Sequence, residues 1–112
     1  GGGMVGLTSA ALLAETGLSI ALLEADTPAK LSKQKDRPYA LRVSAINLAS
    51  MRIFEHLDIA SEILANRASA YSRMQVWDAD SNAGIQFDAD DAGVDQLGYI
   101  IENELIINAL HD

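Results

Sequence analysis

Gly1-Gly2-Gly3-Met4-Val5-Gly6-Leu7-Thr8-Ser9-Ala10-Ala11-Leu12-Leu13-Ala14 is the stretch on which the reading of the fold turns. Gly1, Gly3 and Gly6 stand in the G-x-G-x-x-G spacing. In that spacing the first glycine allows a sharp turn and the second lets the backbone approach a pyrophosphate. The third lets a helix pack closely on a sheet. The helix that follows offers unpaired N–H groups and the positive end of its dipole to a phosphate. A glycine triplet by itself is weak evidence, because glycine-rich stretches are often only flexible. Here an apolar segment over residues 7 to 16, then Gly17, then Leu18-Ser19-Ile20-Ala21-Leu22-Leu23 and finally Glu24 follow in order. Turn, helix, strand and an acid about 20 residues on is the arrangement a dinucleotide site requires.

Working outward from that stretch, residues 7 to 16 are predicted to form a helix stopped by Gly17. It is apolar on nearly every side, which predicts burial against a sheet. Leu18–Leu23 has the length and composition of a parallel strand covered on both faces. Glu24 then falls at the carboxyl edge, where its carboxylate would accept both hydroxyls of an adenosine ribose and repel a 2′-phosphate. The plainer alternative is an ordinary acid ending a strand. The fold class predicted is α/β, a partial Rossmann-like nucleotide-binding fold lacking its first strand, because the chain opens on the first glycine. The chain is thus expected to be a piece of a longer protein, with Asp112 inside a helix that continues.

The chain has 112 residues, of which 49% are hydrophobic, enough for one packed domain and against disorder. Its net charge of −8 argues against nucleic acid as a partner, and no basic stripe is present for anionic lipid. There is no cysteine, which excludes disulfides, thiolate catalysis and zinc–cysteine sites in this stretch. No apolar run approaches the roughly 20 residues that span a bilayer.

Ala25 to Tyr39 changes composition, with Pro28, Lys30, Lys33, Lys35, Arg37 and Pro38, and reads as a polar, mobile loop. Leu41 to Ser50 leads into a second helix ending near Leu57, capped by Ser44 or Asn47, with Ile46, Ala49, Ile53 and Leu57 as its stripe and Phe54 widening it. Asp58 is expected to cap a short third helix through Ile59, Ile63 and Leu64. Met74–Asp78 and Ile85–Asp88 alternate about Asp80-Ser81-Asn82-Ala83-Gly84, the pattern of a β-hairpin. An acidic loop runs from Asp88 to Asp95, then a strand over 97 to 101 and a helix carrying Leu105, Ile106, Ala109 and Leu110, with Asn103 as its cap.

Arg42 lies between two apolar residues just ahead of a helix. A guanidinium so placed either takes an anion such as phosphate in bidentate fashion or pairs with one of the many acids. Trp77 reads as a core or domain-contact residue. His56 and His111 have no second ligand at metal spacing, and the aspartates around the hairpin do not follow the EF-hand order. No metal site and no Ser-His-Asp or Cys-His set is predicted, and the catalytic residues are not identified in this stretch.

At Leu41-Arg42-Val43-Ser44-Ala45-Ile46-Asn47-x-Ala49-Ser50, with the glycine start, Val76-Trp77-Asp78 and Gly98-Tyr99-Ile100-Ile101-Glu102-Asn103, the chain resembles the ubiquinone-biosynthesis flavin hydroxylases. The match is to their VisC-like octaprenylphenol hydroxylase branch, within the class typified by para-hydroxybenzoate hydroxylase. The resemblance covers essentially the whole chain. It implies an FAD/NAD(P)-binding fold of an aromatic-ring monooxygenase, with NAD(P)H as reductant, O₂ as co-substrate and a prenylated phenol of ubiquinone biosynthesis as substrate. It further implies that Gly1, Gly3 and Gly6 hold the FAD pyrophosphate, Glu24 its ribose, and that Arg42 reaches toward the pyrophosphate. Glu102 or Asn103 would meet the sugar portion of the cofactor. On this resemblance residues 1–73 are the first part of the FAD-binding domain, 74–96 a hairpin and acidic loop toward the substrate side, and 97–112 the return. A lipophilic substrate, partner proteins of the same pathway and a cytoplasmic location at the inner-membrane periphery complete what it implies. The family's later Gly-Asp motif and most of its substrate domain have no counterpart here. A NAD-dependent dehydrogenase, or a non-catalytic nucleotide-binding module, is the competing reading. Against the dehydrogenase stands the long polar connection between Glu24 and Arg42, where such an enzyme is expected to place a prompt second helix.

Overall fold

The glycine turn runs directly into helix α1 (Met4–Ala14), which begins three residues ahead of the predicted start and inside the motif itself. The structure, a computed structural model, describes residues 1–26, 37–81 and 83–111. Gly3 is the extended N-cap, with φ −75° and ψ 171°, and the Leu7 N–H donates to the Gly3 carbonyl at 3.0 Å. Gly17, at φ 77°, takes the left-handed conformation that ends the helical segment.

After α1 the described elements are β1 (Val43–Asn47), α2 (Leu48–His56), α3 (Ala60–Ala65), β2 (Ala68–Tyr71), β3 (Arg73–Trp77), β4 (Gly84–Asp88), α4 (Ala89–Ala92), β5 (Gly98–Glu102) and α5 (Asn103–His111). The class is α/β, but both sheets are small and antiparallel. One has the order β1-β5-β2 and the other is the β3-β4 hairpin. Gly98 opens β5 opposite Asn47, and a Cβ there would lie 2.1 Å from the Ile46 carbonyl oxygen. Only glycine permits that approach.

The core joins one face of the three-stranded sheet to the helices. Ile46 of β1, Ile101 of β5, Met51 and Phe54 of α2, Ile63 of α3, and Ile106 and Ala109 of α5 are buried together. The hairpin is present as alternation predicted, with both strands beginning one residue earlier, and the strand over 97 to 101 is displaced by one residue.

Several expectations are corrected. Leu18–Leu23 forms no strand: among the described residues no neighbour pairs with it, and Leu18 and Leu23 are exposed. A strand exists only where a neighbour takes up its N–H and C=O groups, and none does here. The helix beside it is correspondingly open: only Leu7 of α1 is buried, and α1 packs across α5 rather than on a sheet.

The segment ahead of the second helix is strand β1, which the helical stripe concealed. Asn47 then caps α2, its Oδ1 accepting from the Ser50 N–H at 2.8 Å, and the buried face is Met51 and Phe54. Asp58 caps nothing. It sits at φ 59° in the turn between α2 and α3, whose N-cap is Ile59. Strand β2 was not anticipated, and the acidic loop contains the single turn α4, capped by Asp88. Asn103 begins α5, but its Oδ1 accepts the Ser44 hydroxyl at 2.7 Å. The charged loop over 27–36, Asn82 of the hairpin turn and Asp112 lie outside the described residues.

Candidate functional site

The start of α1 faces an open cleft of about 760 Å³, lined by Gly1, Gly3, Met4, Val5 and Gly6 on one side and by Leu41, Arg42, Asn103, Glu104 and Ile107 on the other. Three segments distant in sequence, the glycine turn, the residues ahead of β1 and the start of α5, thus meet around one space. The glycines shape it in different ways. A Cβ on Gly6 would lie 1.9 Å from the Gly1 carbonyl oxygen, so the turn curls against the helix only because no side chain stands there. A Cβ on Gly3 would meet nothing within 4 Å. Gly3 therefore leaves the backbone bare toward open space at the end of a helix, where unpaired N–H groups and the dipole favour an anion.

Glu24 reaches back to this turn from residue 24. Its carboxylate accepts from the Gly2 N–H and from the Ala25 N–H, the latter at 2.8 Å. The bond from Gly2, reinforced by that from Ala25, holds its pKa below the usual carboxylate range. Glu24 is thus fixed to the glycine turn without lining the cleft, while Gly1, Gly3, Gly6 and Arg42 line it together.

Arg42 is exposed at the cleft, one residue ahead of β1. Its backbone carbonyl accepts the Asn103 N–H at 3.1 Å, which ties the two residues across the β1-β5 pair. Among the described residues no carboxylate forms an ion pair with its guanidinium. The surface ion pair that would explain Arg42 without a ligand is therefore missing from the described residues. Opposite the helix end, Arg42 supplies a cation where the glycine turn supplies N–H donors.

Glu102 and Asn103 are adjacent but differently employed. Asn103 lines the cleft, whereas the Glu102 side chain is 3% exposed and turned into the protein. Its Oε2 accepts from Arg37 Nη1 at 2.8 Å and from the Ala40 N–H at 2.9 Å, and its Oε1 lies 3.5 Å from Arg67 Nη1. Burial pushes its pKa up, but the Ala40 N–H and then the Arg37 and Arg67 charges outweigh it, and the net shift is downward. Spacing gave no sign of these arginines. The available signal was a charged residue closing the apolar run Tyr99-Ile100-Ile101, since a buried carboxylate requires cationic partners.

The remaining candidates lie elsewhere. Trp77 is 71% exposed on the hairpin, not in the core. His56 Nε2 meets Glu15 Oε2 at 2.8 Å on the surface. Asp88 pairs with Arg73 at 2.7 Å, and Asp78 closes the hairpin turn by accepting from the Asp80 N–H and the Ser81 hydroxyl. Among the described residues no group of three or more His, Asp or Glu side chains is placed to hold a metal ion.

The chain is 40% identical over 98% of its length to the rat protein named ubiquinone biosynthesis monooxygenase COQ6, mitochondrial, and to its human counterpart. It is 34% identical, again over 98% of its length, to the 3-demethoxyubiquinol 3-hydroxylase of Escherichia coli K12. This chain is homologous to ubiquinone-biosynthesis hydroxylases. It spans about a quarter of the length of these relatives, 23%, 24% and 27% respectively. No protein-family model matches it. The ubiquinone-hydroxylase homologues are enzymes, and the resemblance carried by the glycine start, the 41–50 segment and Gly98–Asn103 therefore has a counterpart in sequence identity across nearly the whole chain. Among the described residues no helix is long and apolar enough to cross a membrane.

Proposed function

We propose that the cleft between α1 and Arg42 is the pyrophosphate end of an FAD site, and that the chain is the FAD-binding portion of a flavin monooxygenase. The single observation that carries this reading is the juxtaposition of Gly1, Gly3 and Gly6 with an Arg42 that has no ion-pair partner among the described residues. The donor set suits a pyrophosphate: backbone N–H groups at a helix start, a glycine whose missing side chain leaves room for close approach, and a forked cation opposite. The homology to ubiquinone-biosynthesis hydroxylases supports FAD over the other dinucleotides that such a turn accepts.

In this reading residues 1–73 and 97–112 belong to a Rossmann-like FAD-binding domain, and the hairpin with its acidic segment, 74–96, projects toward the substrate side. When bound, FAD reduced by NAD(P)H supplies the activation of O₂ for hydroxylation of an electron-rich ring. The residues of this chain bind and orient. The start of α1 fixes the phosphates, Arg42 neutralises them, and Glu24 takes up the ribose of the AMP half. Glu24 now accepts from the Gly2 N–H, so ribose binding would share or replace that bond. Asn103 lies where the remaining sugar portion would pass. The substrate proposed for the whole protein is a prenylated phenol of ubiquinone biosynthesis. The whole protein is further proposed to act with proteins of that pathway, peripherally at the membrane.

The test is the FAD dissociation constant of the full-length protein carrying Arg42→Ala or Arg42→Lys, read by flavin fluorescence at matched salt. Loss of a charge-assisted hydrogen bond is worth roughly 1.5–3 kcal/mol, or on the order of ten- to a hundredfold in affinity. Lysine should recover only part of it, since it keeps the charge and loses the fork. Equal constants for all three proteins would remove Arg42 from the site.

A further inference from the structure

Burying a carboxylate costs several kcal/mol unless charges and hydrogen bonds surround it, and Glu102 is 2% exposed. What surrounds it is specific. Two of its partners, Arg37 Nη1 at 2.8 Å and the Ala40 N–H at 2.9 Å, belong to the short segment 37–40 that runs into Leu41 and Arg42. The third, Arg67, approaches from just ahead of β2, also donates to the Arg37 carbonyl oxygen, and lies 4.4 Å from the Tyr39 ring centre. The acid and both arginines therefore grip one strap of chain, and none of the three lines the cleft. Beyond the strap, Arg42 is held by the Asn103 N–H and Val43 is paired with Glu102 itself.

We infer that Glu102 is a positioning residue for the cleft: through Arg37 and Ala40 it fixes the approach of the 37–40 strap and so aims the Arg42 guanidinium at the bound phosphates. This rests on the FAD reading of the cleft and assigns Glu102 a role without ligand contact. A purely structural ion cluster would affect stability and leave the affinity of the folded protein alone. A positioning cluster affects affinity through Arg42, and its effect vanishes once Arg42 is gone.

The experiment is a double-mutant cycle in the full-length protein, with FAD dissociation read by flavin fluorescence and folding checked by circular dichroism. Arg37→Gln, which leaves Arg67 and the Ala40 N–H on the carboxylate, is expected to weaken FAD binding about tenfold in a folded protein, and Arg37→Lys to restore part of it. Added to Arg42→Ala, Arg37→Gln should cause no further loss. Glu102→Gln should behave in the same way, and if it does not fold, the Arg37 variants carry the test alone. Wild-type affinity in Arg37→Gln alongside a loss in Arg42→Ala would overturn the positioning role and leave the site reading standing, as would losses that simply add. A silent Arg42→Ala would overturn the site reading and this inference with it.

Discussion

Gly6→Ala and Gly3→Val in the full-length protein separate the two tasks that the glycine turn performs. At Gly6 an added Cβ would sit 1.9 Å from the Gly1 carbonyl oxygen, more than an ångström inside ordinary contact. That carbonyl belongs to a turn held by the Gly2 N–H on Glu24, so it has no free side chain to swing away. Alanine would gain up to about 1 kcal/mol of helix propensity over glycine, but overpacking of this kind costs roughly 1–3 kcal/mol or more. The clash wins, the Gly1–Gly2 turn is pushed off Glu24, and stability and FAD affinity are expected to fall together. At Gly3 the outcome differs. A Cβ meets nothing within 4 Å, and φ −75°, ψ 171° suits any residue, so the fold should lose less than about 1 kcal/mol, the scale of a cap substitution. Whatever FAD affinity Gly3→Val loses must then come from the ligand meeting the new side chain. The assay pairs urea denaturation with flavin fluorescence on the same preparations. A wild-type denaturation midpoint in Gly6→Ala would refute the close approach of the Gly1 carbonyl. Wild-type FAD affinity in Gly3→Val would refute the claim that the phosphates lie against Gly3.

The structure sets further expectations. Gly98→Ala places a Cβ 2.1 Å from the Ile46 carbonyl oxygen and should lower stability by on the order of 1–3 kcal/mol in denaturant titrations, and an unchanged midpoint would contradict the β1-β5 register. Glu102 has a folded pKa below its unfolded value. Its contribution to stability is therefore complete above about pH 4.3 and is lost as pH falls through the depressed folded value. The stability gap between wild type and Glu102→Gln should accordingly narrow as the solution is taken below that range, and a gap that stays constant with pH would show that the carboxylate is not held ionised by Arg37 and Arg67.

How much of this was legible in the sequence depended on whether a signal was local. The existence of the first helix, though not its start at Met4, the hairpin about residues 78–84 and the α5 core residues Ile106 and Ala109 follow from spacing, alternation and turn chemistry. The cleft was legible in part, because Gly1, Gly3 and Gly6 are close in sequence and Arg42 stood out as a cation among apolar neighbours. What sequence could not give was pairing. Val43–Asn47 carries a helix-like stripe into α2, yet its backbone finds β5, some 55 residues away, and becomes a strand. Leu18–Leu23 has the composition of a strand and, among the described residues, no partner to make it one. The Arg37–Glu102 contact joins residues 65 apart, which no periodicity reveals. Asp58 shows a local rule yielding to its neighbours: after Leu57 the chain must reverse between two helices, and the aspartate takes the left-handed turn, not the cap.

The central claim is that the glycine turn and Arg42 hold FAD, and the visible absorption spectrum of the purified full-length protein tests it most directly. The expected result is a yellow protein whose flavin bands account for one FAD per chain, with the Arg42→Ala protein releasing its flavin on gel filtration. A colourless protein that takes up no FAD on reconstitution and instead binds NAD would contradict it.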